Sequence, residues 1–352
     1  MFPDIDTPAV LIDLDVAERN IRHFQDYCTE HGLALRPHIK THKLPRLAHL
    51  QMAAGAVGVN CQKLGEAEVM ADAGLEDILI TYNILGPMKL ARLKALADRV
   101  PRLAVTADNP VVVDGLAETF AGAERPLTVR VECDTGARRC GVATADEALA
   151  LARRIDAAPG LAFGGLLTYP APGGVHAVRA FFQDARKRFD AAGLDIPVLS
   201  SGGSPDMWRA HEAGEVTEYR AGTYVYNDRS LIAAGACHPA DCALTVLSTV
   251  VSTPGRSRVI VDAGSKVLTT DLFGQTGYGM VAGRPEFEVT AVSEEHGHLM
   301  AGAGTARPRV GERLRIIPNH ACVVSNMVDH VVLVRGDKVV ATEPVAARGR
   351  VT

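Results

Sequence analysis

Eight short apolar runs, each followed by a stretch of helical length, fill residues 35–220 and restrict the chain to an α/β architecture. The first run begins at Leu35, and the others lie at 57–60, 77–81, 102–106, 127–132, 161–168, 196–200 and 216–220. The intervening segments, such as 64–73, 88–97, 110–120, 145–155 and 178–192, are rich in Ala, Leu, Glu and Arg. Eight such units in about 200 residues fit a (β/α)8 TIM barrel better than an open doubly wound sheet.

After about residue 235 the periodicity becomes that of strands, at 244–251, 258–262, 286–292, 313–317 and 330–334, with a last strand after 339 and no convincing helix between them. A further strand is expected at 8–14, followed by a helix at 15–28 with Ala17, Ile21, Phe24 and Tyr27 on one face. The expected division is a strand at 1–14 that joins the β domain, a barrel at 15–235 and a C-terminal β domain at 236–352.

Length and charge narrow the partners. The 352 residues suffice for one large domain and a smaller one. A formal charge of −4 gives no global attraction to nucleic acid or an acidic membrane. The start, Met1-Phe2-Pro3-Asp4-Ile5-Asp6, lacks a signal-type apolar core, and no run of about 18 apolar residues occurs, so a cytoplasmic location is expected. Seven cysteines without a CxxC pair argue against a disulfide framework or a zinc ribbon.

The stretch Leu35-Arg36-Pro37-His38-Ile39-Lys40-Thr41-His42-Lys43 places Lys40 where a buried strand would give way to a loop, the position at which parallel α/β enzymes carry chemistry. Pro37 removes a backbone donor and biases Arg36 to extended geometry. Lysine among the cations Arg36, His38, His42 and Lys43 would have its ammonium destabilised and could form a Schiff base. A basic surface turn fits the same residues. Near the other end, Pro318-Asn319-His320-Ala321-Cys322 would, on an extended backbone, point His320 and Cys322 to one face, a pair suited to zinc. A buried histidine beside a buried cysteine fits equally.

RPHIKTHK resembles the lysine motif of the D-threonine aldolase and D-serine dehydratase family, fold-type III pyridoxal 5'-phosphate enzymes related to alanine racemase, and the likeness continues along nearly the whole chain. The resemblance implies that Lys40 carries the cofactor and that the barrel is followed by a β domain that takes in the amino-terminal strand. DTGARRCGV at 134–142 resembles an element in which Arg139 would contact the cofactor's phenolate oxygen. Ser201, Gly202, Gly203 and Ser204, after the seventh barrel strand, would cradle its phosphate, as Gly-rich backbone amides can. Gly222 and Thr223 would add donors, and Tyr169 would lie against the pyridine ring. PNHAC resembles the family's metal motif, which implies a divalent ion, zinc or manganese, at His320 and Cys322.

The 262–266 (DAGSK) and 294–297 (EEHG) segments also look like family elements, without an assigned role. His38 and His176 complete the expected catalytic set with Lys40, although the Pro-Ala-Pro-Gly-Gly before His176 departs from the aldolase pattern. The implied activity is cleavage of a small-molecule D-3-hydroxy amino acid, D-threonine to glycine and acetaldehyde, by a homodimer. Dehydration of D-serine or D-threo-3-hydroxyaspartate is the alternative, towards which the His-x-Cys spacing leans. The run from Gly165 through Asp271 looks more like the aldolases. A metal-independent racemase is the third reading.

Overall fold

The computed structural model describes residues 2–302 and 304–352; of the expected 1–14 segment, Met1 lies outside the described residues. Contacts divide the chain into two compact units. One comprises the segment ending at Arg22, Thr41–Leu44 and Thr223–Gly349, and the other His23–Lys40, Pro45–Gly222 and Arg350–Thr352. The chain opens with strand β1 (Ala9–Asp13), which belongs to the first of these.

The second unit is the barrel. Its strands are β2 (Ala34–Leu35), β3 (Val59–Cys61), β4 (Asp77–Ile80), β5 (Arg102–Ala107), β6 (Leu127–Cys133), β7 (Leu161–Thr168), β8 (Leu199–Gly202) and β9 (Glu218–Arg220). They pair in parallel in the order β2-β9-β8-β7-β6-β5-β4-β3. A parallel bridge between His38 and Asn60 and the Val57 N–H donating to the Leu35 carbonyl at 2.9 Å close the ring, so neither β2 nor β3 is left as an edge.

Local chemistry starts and stops the surrounding helices. Asn109 accepts from the Val112 N–H at 3.0 Å ahead of the helix Pro110–Phe120. Thr144 and Glu147 form a capping box for Ala145–Asp156. The helix Val175–Ala192 ends on Gly193 at φ 66°, a left-handed conformation that glycine adopts without a Cβ penalty.

Polar groups are buried between these strands as one network. Glu218 receives Arg36 Nε at 2.8 Å, an Arg130 guanidinium nitrogen at 2.5 Å and Ser200 Oγ at 2.7 Å. Burial raises a carboxyl's pKa, but the charges of Arg36 and Arg130 outweigh it and hold Glu218 well below the usual carboxylate range.

Lys40 lies just past the last strand pairing, the bridge at His38. The strand stops at Leu35, and Lys40 lies in a 3-10 turn, Ile39–Thr41. Pro37 can only accept, taking the Asn60 N–H at 2.8 Å, so pairing beyond it shrinks to a single bridge. Two of the cations expected around it are engaged by other partners. Arg36 is neutralised by Glu218 and by Asp77 at 2.5 Å, and Lys43 Nζ donates to Asn326 Oδ1 at 2.8 Å and to the Ala347 carbonyl at 3.3 Å.

The other unit is built on a nine-stranded mixed sheet. Beside β1 it contains β10 (Leu244–Ser252), β11 (Arg258–Val261), β12 (Gly279–Val281), β13 (Val289–Val292), β14 (Gly297–Met300), β15 (Arg313–Pro318), β16 (His330–Arg335) and β17 (Lys338–Pro344). The path runs β13-β14-β11-β10-β1-β16-β17, with β15 pairing both β10 and β12. β1 is antiparallel to β10 and parallel to β16, and Phe2, Leu11, Leu247 and Val334 pack together there. The amino-terminal strand therefore belongs to this sheet.

Two short helices, Ser265–Leu268 and Ala321–Met327, interrupt it where none was expected. The second is the more instructive. Ala-Cys-Val-Val reads as a strand by propensity, yet Asp228 Oδ2 accepts the Ala321 N–H at 2.9 Å and satisfies a donor at the helix start from 93 residues away.

Candidate functional site

The barrel unit holds Lys40 and the residues expected around a cofactor, except Thr223, which falls in the mixed-sheet unit. Lys40 is half-buried, and its backbone N–H reaches His38 Nδ1 at 3.4 Å. His38 Nε2 faces Gln62 Oε1 at 3.2 Å, while Gln62 Nε2 donates to the Thr81 carbonyl at 2.7 Å. With Oε1 left to accept, His38 donates from Nε2 and accepts at Nδ1, the pattern of a neutral imidazole. The ring shapes the turn that carries Lys40.

The loop after β8 is held from below. Arg220 donates to the carbonyls of Thr168 and Ser201 at 2.8 and 3.1 Å and to Ser200 Oγ at 2.6 Å, and burial lowers its pKa to about 10. Gly202 passes so close to β9 that a Cβ would lie 2.4 Å from the Arg220 carbonyl. Gly203 has φ 129°, a backbone that side chains resist. Tyr219 Oη donates to the Gly203 carbonyl at 2.7 Å, and Ser204 Oγ accepts the Gly222 N–H at 3.3 Å.

Tyr169 stands over this loop, its ring 3.8 Å from where a Gly203 Cβ would be. The Arg139 guanidinium lies 4.8 Å from the centre of the same ring and 3.8 Å from Glu132. Burial raises the Glu132 carboxyl, against the pull of Arg139. The structure thus brings Arg139, Tyr169, Gly203, Ser204 and Gly222 together. This cradle fits a planar, phosphate-bearing cofactor: an aromatic face flanked by a cation, and backbone that glycine keeps open. His176 is exposed in the first turn of Val175–Ala192 and within electrostatic reach of Glu212.

The mixed-sheet unit holds the expected metal pair. His320 Nδ1 meets Asp271 Oδ2 at 2.8 Å, and the imidazole is also hydrogen-bonded to Cys322. Burial works against its charge, but these two partners raise it to about 9. The backbone at Cys322 is helical rather than extended, because Asp228 starts the helix at Ala321, so the pair meets across a helix N-terminus and not along a strand. Thr41 Oγ1 lies 3.1 Å and Thr223 Oγ1 3.6 Å from the Cys322 sulfur. The Thr223 hydroxyl therefore accompanies the thiol.

Among the described residues no group of three or more His, Cys, Asp or Glu side chains is arranged to hold a metal. The donors present still fit one. A carboxylate on Nδ1 leaves Nε2 as the coordinating nitrogen, which is how metal-binding imidazoles are commonly oriented. The buried Tyr226 hydroxyl, within electrostatic reach of Cys322, has no hydrogen-bond partner among the described residues.

Sequence reasoning missed Asp228, Asp271, Tyr219 and the role of Arg220. Tyr219 and Arg220 lie in the eighth apolar run, and Asp228 and Asp271 within the stretch from Gly165 through Asp271, but nothing local marks their roles.

Residues 12–230 match the family described as alanine racemase, N-terminal domain, and residues 243–334 match a serine dehydratase domain family. The chain is 35% identical to a D-threonine aldolase of Arthrobacter sp, over 98% of this chain and 93% of that protein. It is 36% identical to a D-threo-3-hydroxyaspartate dehydratase of Delftia sp., over 90% and 91%. The crystal structure of D-threonine aldolase from Filomicrobium marinum superimposes with a TM-score of 0.92 at 34% identity, covering 99% of this chain and 97% of that one.

Proposed function

The chain belongs to the D-threonine aldolase and D-serine dehydratase family of alanine racemase-like, fold-type III enzymes, and on that premise we propose that it is a pyridoxal 5'-phosphate- and divalent-metal-dependent lyase of D-3-hydroxy amino acids. The favoured reaction is cleavage of the D-threonine type, giving glycine and an aldehyde. When bound, the cofactor supplies an electron sink at Cα and the metal supplies a Lewis acid for the β-hydroxyl.

The remaining work falls to this chain's own residues. Lys40 Nζ anchors the cofactor, the loop Ser201 to Ser204 with Gly222 holds its phosphate, and Tyr169 and Arg139 hold its ring and phenolate side. His320 and Cys322 hold the metal. Aldol cleavage leaves the Cα proton in place, breaks the Cα–Cβ bond as the β-hydroxyl loses its proton and becomes the aldehyde carbonyl, and returns one proton to Cα to give glycine. Dehydration instead requires Lys40 Nζ to take the Cα proton while hydroxide leaves.

The observation that carries the reading is His320 held by Asp271 at 2.8 Å, with Cys322 two residues on in the first turn of the helix that follows it. A metal-independent racemase has no use for that arrangement. The thiol at Cys322 and the 36% identity to a dehydratase support dehydration of D-serine or D-threo-3-hydroxyaspartate as the second reading.

The test is incubation of the protein, loaded with pyridoxal phosphate and zinc or manganese, with D-threonine and D-serine. Glycine plus acetaldehyde is expected; keto acid plus ammonia as the only products would establish the second reading, and turnover that survives chelator would remove the metal. Borohydride reduction followed by peptide mapping is expected to label Lys40, and a label elsewhere would overturn the cofactor assignment. A homodimer is expected in solution.

A further inference from the structure

The segment from Thr269 to Gly277 is held in a conformation its residues resist. Thr269 has φ 70° and ψ −175°, and Phe273 has φ 48°, both in territory that β-branched and bulky side chains avoid. The surroundings hold this shape by binding the loop at both ends. Asn319 Nδ2 donates to the carbonyls of Asp271 and Gly277, at 3.0 and 2.8 Å, and Arg229 donates to the Thr276 carbonyl at 2.6 Å.

The tip so fixed presents Leu272 and Phe273, 42% and 59% exposed. The Phe273 ring stands edge-on to the His320 imidazole, with centroids 4.5 Å apart at 75°. Strain at a loop tip, apolar exposure and contact with a metal-binding imidazole coincide on one residue.

Charge around the loop points the same way. Asp271 is paired with His320 at 2.8 Å and offers no cation to a substrate carboxylate. Arg229, the cation that binds this loop, is committed to Glu288 at 2.6 Å and to Asn319 Oδ1 at 3.2 Å. We propose that the Thr269–Gly277 loop selects the substrate's β-substituent through Phe273, favouring D-3-hydroxy amino acids with an alkyl or aryl group at Cβ over those with a β-carboxylate. The inference rests on the lyase reading above and names the substrate class within it. Phe273 is a specificity-determining residue here; it bonds to neither cofactor nor metal.

The test compares D-threonine, D-phenylserine and D-threo-3-hydroxyaspartate on the holoenzyme with metal bound, using the wild type, Phe273→Ala and Phe273→Arg. Both kcat/KM and the equilibrium Kd by calorimetry are measured. The wild type is expected to prefer the first two over hydroxyaspartate by about tenfold or more, the scale on which an apolar pocket discriminates. Phe273→Ala is expected to lower kcat/KM for D-phenylserine by about tenfold, mostly through KM, with hydroxyaspartate held within about twofold. Phe273→Arg is expected to shift preference towards hydroxyaspartate in Kd as well.

A wild type that prefers hydroxyaspartate overturns the proposal. So does an equal change for all three substrates, or binding of none. A binding preference that follows Phe273 without turnover sinks the lyase reading and leaves the selection standing, whereas turnover indifferent to Phe273 does the reverse. Because Phe273 is exposed, its truncation is expected to leave the melting temperature unchanged, which separates a loss of selection from a loss of fold.

Discussion

Asp271 Oδ2 lies 2.8 Å from His320 Nδ1, so a residue 49 positions earlier in the chain fixes which nitrogen of that imidazole faces outward. Replacing Asp271 by Ala frees the ring to rotate and to exchange tautomers. The affinity for added zinc is expected to fall by about 10–100-fold, the usual consequence of removing such a partner. Competition with a chromogenic chelator measures it, and an unchanged affinity would remove Asp271 from the site.

Glu218 gathers two buried guanidinium groups, Arg36 and Arg130. Glu218→Gln leaves both charges under-compensated and is expected to cost about 3–5 kcal/mol of stability, as breaking a buried pair does. Denaturant titration of the two proteins side by side reads the difference.

The same carboxylate sets an acid limit. Its folded pKa is depressed, so its contribution is fully present above the unfolded carboxylate value of about 4.3 and is lost as pH falls from there towards the folded value. The denaturation midpoint of the wild type is expected to drop steeply below about pH 4, and the Gln variant to show a shallower slope over that range. Parallel slopes would mean that other carboxylates govern acid unfolding.

The Tyr219 hydroxyl holds the Gly203 carbonyl at 2.7 Å. Tyr219→Phe keeps the ring and removes that tie, at a net cost near 1 kcal/mol. Cofactor affinity, followed by absorbance, is expected to weaken by about threefold to tenfold, with little change in the melting temperature.

The barrel was legible because a strand covered on both faces reads as a continuous apolar run, as in Asp77–Ile80 and Leu127–Cys133. The 3-10 turn that carries Lys40 was not legible, since strand pairing beyond Pro37 depends on what β3 offers across the gap. The β domain was harder. Gly279–Val281 and Gly297–Met300 are short strands begun by glycine, below what alternation can reveal. The pair His320 and Cys322 was visible as a spacing, whereas Asp271 and Asp228 reach it through tertiary contacts that leave no local pattern.

One aspartate serves two helices. Asp228 Oδ1 accepts the Leu231 N–H at 3.2 Å and begins Arg229–Ala233, while Oδ2 begins Ala321–Met327 at 2.9 Å. Burial raises its carboxyl. Asp228→Ala is expected to cost about 1–3 kcal/mol for the orphaned donors and to weaken zinc binding together with stability, whereas Asp271→Ala is expected to affect zinc binding alone. A variant that loses stability while retaining full zinc affinity would break this link.

That double duty limits where the five-letter string PNHAC can be carried. Transplanted by itself into another sheet protein, it would continue as a strand, with its imidazole and sulfur set by the pleat rather than by a helical turn. The placing of its imidazole and sulfur is inherited from an acid in a distant part of the sequence, so any search or graft that treats the string as a portable cassette leaves behind the residue that bends it.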